Sequence, residues 1–161
     1  MDIRIAMKNE LAHEADLTRS VLNVIPDGLL DVKAHPSVRS IRWNVSHLVD
    51  ILSWAPMILH EAYFDVAPPG EPPHDTPEMA TIADAITTFD QNLIVAQGSL
   101  DQLSVDTLDD PWSLRVGGQP VLTHPRYMIY RMYMVNHVAH HRGHLLAYLR
   151  INDIETPRLY E

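Results

Sequence analysis

Five prolines fall within the twelve residues VAPPGEPPHDTP, positions 66–77. Each fixes its own φ and lacks an amide hydrogen, so this stretch cannot enter a helix or sheet interior. It must be a connector, and the chain has to fold as two apolar-periodic halves on either side of it.

Upstream, residues 3–25 read as a first helix, closed by the turn signal Pro26-Asp27-Gly28. A second helix begins after Pro36, with Ser40 as a candidate cap, and runs to about Tyr63. Pro56 lies inside it and predicts a kink or an early end. Downstream, Thr76-Pro77-Glu78 predicts the start of a third helix that continues to about Leu103. Residues 104–123 form a loop that can hold a short hairpin around Gly117-Gly118. A fourth helix opens at Thr123-His124-Pro125 and runs to Leu149 or Arg150. Four amphipathic segments with little strand signal predict an all-α four-helix bundle, one domain over residues 1–161. The two long connectors leave its topology open.

Composition narrows the function. The chain has no cysteine, so disulfides are excluded and any metal must be held by nitrogen and oxygen donors. A cytoplasmic location is the expectation. A formal net charge of −9, with no run of Lys or Arg, disfavours a nucleic-acid partner. No stretch has the roughly 18 uninterrupted apolar residues of a membrane span, and the N-terminus does not read as a signal peptide.

Ten histidines are many for 161 residues, and four of them fall between 137 and 144. At about 100° per residue, His137 and His141 share a stripe with Tyr127, Tyr130, Met134, Val138, Leu145 and Tyr148. Two imidazoles four residues apart can converge on one ion. They can equally form a buried polar network that finds its partners within the core. His140 and His144 make a rival pair nearer the edge of the stripe. On the second helix His47 shares a face with Trp43, Ile51, Trp54 and Ile58. Alone it reads more readily as a core histidine than as a ligand, and no spacing rule joins it to the pair. His13 reads as a core-edge residue, and His35, His60, His74 and His124 as surface residues.

Asn136-His137-Val138-Ala139-His140-His141-Arg142-Gly143-His144 resembles the last-helix signature of the DinB-like superfamily. Ala34-His35-Pro36 through Ser46-His47-Leu48-Val49-Asp50 resembles its second-helix block. Glu10, Thr18, Leu22 and Pro26, with Pro111-Trp112 and Val116-Gly117-Gly118, extend the likeness over nearly the whole chain. The resemblance implies a DinB/YfiT-like four-helix bundle. It also implies one divalent metal, nickel or zinc, on His47, His137 and His141. The departure is His144, where glutamine is usual after Arg-Gly; an added ligand from His144 or His13 stays open.

Three histidines with an open position make a catalytic type of site. The reading is therefore a metal-dependent enzyme acting on a small molecule. It is either a hydrolase or, as in some relatives, an S-transferase using a low-molecular-weight thiol. The alternative is a non-catalytic, dimeric stress-response protein in which the ion is structural. A homodimer is expected in either case. Val138 between the paired histidines excludes the His-Glu-x-x-His arrangement. No residue stands out as the general base. Asp50 is a candidate to orient an imidazole, Tyr130 and Tyr148 to line the pocket, and Glu10 is a further acid to consider.

Overall fold

The computed structural model describes residues 2–160. Helix α1 spans Ile3–Leu22, with the Asp2 carboxylate accepting from the Arg4 amide as its cap. It ends three residues before the expected boundary. Pro26 biases the residue before it toward extended backbone, so the chain unwinds ahead of it. Helix α2 covers Ile41–Ser53, and the Ser40 hydroxyl caps it by accepting from the Trp43 amide. The predicted break occurs at Trp54, and a short helix α3, Ala55–His60, follows. Pro56 has no hydrogen to give the Leu52 carbonyl, and its ring crowds it.

Helix α4 runs Ile82–Gln102 and starts five residues later than the Thr76-Pro77-Glu78 signal predicts. The working cap is Thr81, whose hydroxyl accepts from the Asp84 amide and donates to the Asp84 carboxylate. Residues 76–80 are instead bound to α2. The Met79 amide donates to Ser46 Oγ, and the Met79 and Ala80 carbonyls accept from Arg42. Strand β1, Tyr63–Asp65, pairs in parallel with β2, Pro111–Val116, which pairs antiparallel with β3, Gln119–Pro125. The anticipated hairpin exists, and Gly117 (φ 62°) and Gly118 (φ 80°) are its turn. Both positions need positive φ, which glycine adopts without strain. The third strand was not expected. The last helix begins at Arg126, after β3 has taken up Thr123-His124-Pro125. It consists of α5, Arg126–Ile129, a π-helical turn over Tyr130–Asn136, and α6, His137–Ile151.

Side-chain pairings fix the directions of the four long helices. Lys8 meets Asp101 and Arg19 meets Asp90, so α1 and α4 are antiparallel. Tyr130 reaches Met7, and Arg142 reaches Glu14 and Thr18, so the last helix runs parallel to α1. Arg42 meets Met79 and Ala80, while Asn92 meets Val49, so α2 and α4 are parallel neighbours. The order is up-down-down-up, with α1 packed on α4 and α6, and α2 packed on the same two. Parallel neighbours cannot be joined by a tight turn. The chain leaving α3 must travel back along α2, and the proline-rich connector is that crossover. Leu48, Ile51, Phe89, Leu100, Leu145 and Leu149 fill the space between the helices. Among the described residues no helix is long and apolar enough to cross a membrane.

Candidate metal centre

The α2–α6 seam brings His47, His137 and His141 together, with one ring nitrogen of each lying within 4.8 Å of the others. The spacing on α6 supplies two of them and the antiparallel crossing with α2 supplies the third. His137 Nε2 and His141 Nε2 are 2.9 Å apart. Trp43 stacks on the His47 ring with centroids 4.7 Å apart, and Trp54 packs edge-on at 5.5 Å.

Hydrogen bonds around the cluster orient two of the rings. The Asn44 amide nitrogen donates to the Ser40 carbonyl at 2.8 Å, which turns Asn44 Oδ1 toward α6. Oδ1 lies 3.0 Å from His141 Nδ1, so that nitrogen carries the proton and Nε2 keeps its lone pair. His47 Nδ1 lies 3.1 Å from Thr76 Oγ1, which leaves its Nε2 for the cluster. His137 Nδ1 is buried without a hydrogen-bond partner. With the His141 proton committed to Asn44, the two Nε2 lone pairs confront each other when His137 carries its proton on Nδ1, and His137 donates to His141 when it carries it on Nε2. A cation shared by the three rings relieves the first arrangement. The donor set fits a divalent transition metal.

Electrostatics keep these imidazoles neutral. Burial pushes His137 down to about 4 and His141 down to about 3, with the neighbouring histidines adding to both shifts. Burial also lowers His47, opposed by the Asp50 charge. Neutral imidazole is the form that binds metal.

Beside the cluster lies a cavity of about 330 Å³. Trp43, Trp54 and Tyr133 line its helical side; Phe64, Trp112 and Leu114 line its sheet side, and His74 and Thr76 belong to the crossover. The three tryptophans are thus walls of the cavity, and Trp112 is also part of the core. The other candidates fall in different places. Asp50 is buried but does not hydrogen-bond His47. Its carboxylate accepts from Trp54 Nε1 at 3.2 Å and lies 3.0 Å from His74 Nε2. His144 stands behind His141, 3.4 Å from the same Asn44 oxygen, and its ring is outside the cluster. Tyr148 lines a crevice on that flank, its hydroxyl bonded to the Arg39 carbonyl. His140 and His13 are exposed.

Tyr130 and Glu10 are corrections. Both line a separate groove against α1, where the Tyr130 hydroxyl donates to the Met7 carbonyl and Glu10 pairs with Arg131. The π-helical turn is the reason: its wider spacing rotates everything before His137 off the 100° stripe. Tyr127 is accordingly exposed. Tyr133, which periodicity passed over, packs edge-on to His137 and Trp54. His74 is exposed, as expected, and its ring also lines the cavity, a role the sequence does not announce. No local signal marks it, because its place depends on the course of the crossover.

The sequence model of the DinB superfamily matches residues 10–145. No curated protein matches the chain's sequence. Solved structures that share its fold include the following two. A DinB-like protein from Bacillus cereus is 18% identical, with a TM-score of 0.70 over 96% of this chain and 95% of its own. YfiT from Bacillus subtilis, described as a probable metal-dependent hydrolase with an unusual four-helix bundle topology, is 14% identical. Its TM-score is also 0.70, over 94% of this chain and 89% of its own.

Proposed function

We propose that this chain, which belongs to the DinB superfamily, is a metal-dependent hydrolase of a small molecule, with His47, His137 and His141 as the metal ligands. The observation carrying this reading is the 2.9 Å approach of His137 Nε2 and His141 Nε2, with the His141 proton held by Asn44. The description of YfiT supports the same reaction class.

Nickel or zinc suits three imidazoles and no thiolate. The bound ion supplies Lewis-acid polarisation and activates water near neutral pH. The protein's own groups do the rest. Asn44 and Thr76 hold two imidazoles with Nε2 toward the cluster. The aromatic walls exclude bulk water and accept an apolar substrate body.

The test is metal content per chain in untagged protein, beside His47→Ala and His140→Ala variants. Near-stoichiometric metal, lost in the first variant and retained in the second, is the expected result. Equal loading of all three, or no metal after reconstitution, would reduce the triad to a buried polar network and end the enzyme reading. Loaded protein is then assayed against acyl esters and amides, and against electrophiles with a low-molecular-weight thiol. Turnover only in the thiol arm would replace hydrolysis with S-transfer.

A further inference from the structure

The crossover carries a histidine whose surroundings differ from those of the other nine. His74 is fixed by its backbone, whose amide donates to the Val66 carbonyl at 2.7 Å. It is also fixed by its ring, whose Nε2 lies 3.0 Å from Asp50 Oδ2. Asp50 is only 6% exposed and its carboxylate also takes hydrogen bonds from Trp54 Nε1 and Ser53 Oγ. A carboxylate only accepts, so the His74 proton resides on Nε2. Nδ1 then keeps its lone pair, and no described group hydrogen-bonds it. The ring packs edge-on to Phe64 at 5.5 Å and to Trp54 at 6.2 Å, and it lines the cavity that His47 lines. Trp54 also touches His47 and His137, so one indole separates the dyad from the triad.

We propose that His74 is the general base of the reaction in this cavity and that Asp50 is its positioning residue. The proposal rests on the hydrolase reading above and supplies the base that the sequence did not reveal. In the forward step His74 Nδ1 takes a proton from water as the water oxygen bonds the acyl carbon, and the carbonyl electron pair moves onto its oxygen. In the return step that pair re-forms the carbonyl and the bond to the leaving group breaks. The leaving group departs with the proton from His74 Nδ1. One water is consumed, one acid and one protonated leaving group form, and His74 ends neutral. Asp50 holds the tautomer and ring plane that both steps need. Without that bond neither the tautomer nor the ring plane would be fixed.

Three measurements test this on the full chain. Histidine-labelled, metal-free protein examined by 15N NMR should show His74 as the Nε2–H tautomer, and Asp50→Asn should give a mixture. Zinc titration of His74→Gln and His74→Ala should give affinities within about twofold of the parent. Zinc-loaded variants hydrolysing p-nitrophenyl acetate should lose about 10²–10⁴-fold in kcat with KM little changed. Imidazole added to His74→Ala should restore part of the rate.

Loss of zinc in the His74 variants would make it a fourth ligand and overturn the proposal. Unchanged turnover per loaded molecule, with only a lower Tm, would make the dyad a structural clip. An Nδ1–H tautomer in the parent would overturn it on geometry alone. Turnover that is absent from the parent, or that survives His47→Ala, would instead sink the hydrolase reading, and the base role with it.

Discussion

Two walls bound the site and are built on different principles: one holds the histidine triad, and the other lines the cavity beside it. On the α2–α6 wall, His137 and His141 take their separation from the helix itself, and Asn44 and Ser40 set the Asn44 amide that orients His141. On the crossover wall, residues 66–81 have no ladder of their own. Their side chains and amides are tied to α2 through Thr76–His47, His74–Asp50 and Met79–Ser46, and to the hairpin through the Val66–Arg115 and Ala67–Gly117 backbone bonds. The first wall suits a function that needs imidazoles at fixed separations, such as holding an ion. The second suits a group that must meet a substrate after the ion is in place. The lesson is that helices supply spacing here and the crossover supplies placement.

The largest expected effect separates the walls outright. His141→Ala should lower zinc or nickel affinity by more than about 100-fold, since it exceeds the roughly 10–100-fold typical of losing an outer partner. Competition with a chelating indicator measures this. His74→Ala serves as the crossover counterpart, expected to leave affinity nearly unchanged.

The orienting groups should rank next and unequally. Asn44→Ala removes a buried acceptor and should weaken metal binding by about 10–100-fold. Thr76→Val removes the crossover acceptor from His47 and should cost about tenfold or less by the same measure. Equal losses would erase the distinction between the walls.

Acid should act mainly through the helical wall. In the metal-free protein His137 sits at about 4 and His141 at about 3, below the ordinary histidine value of 6.5. The unfolded chain therefore binds more protons in that window. Stability is unaffected by these groups above about pH 6.5. It falls progressively as pH drops through the window toward about 4 and 3. Urea unfolding of metal-free protein at several pH values checks this, and His141→Phe should flatten the dependence.

The smallest effect belongs to the crossover's anchor. Gly117→Ala puts a Cβ at φ 62° in the turn whose amide donates to Asp65. The cost should be about 1–2 kcal/mol by thermal unfolding, with metal affinity retained.

These walls were not equally legible. Ser40 as a cap, the break at Pro56 and the Gly117-Gly118 turn are local chemistry, and each occurs where the residues predict it. The His137–His141 pair follows from helical spacing, and its link to His47 was available only through the family resemblance. Thr76-Pro77-Glu78 misled because a cap signal depends on what else its backbone can bond. Tyr130 misled because a π-helical turn resets the angle that periodicity assumes.

What the chain's residue order determined is whatever depends on neighbours within about four positions: helix faces, caps, turns and the spacing of one histidine pair. Folding in three dimensions decided the rest. The parallel α2–α4 packing requires a return path, and that path carries His74 to Asp50, 24 residues away, and Thr76 to His47. Such contacts depend on how whole helices stack, and no local window of sequence contains that information.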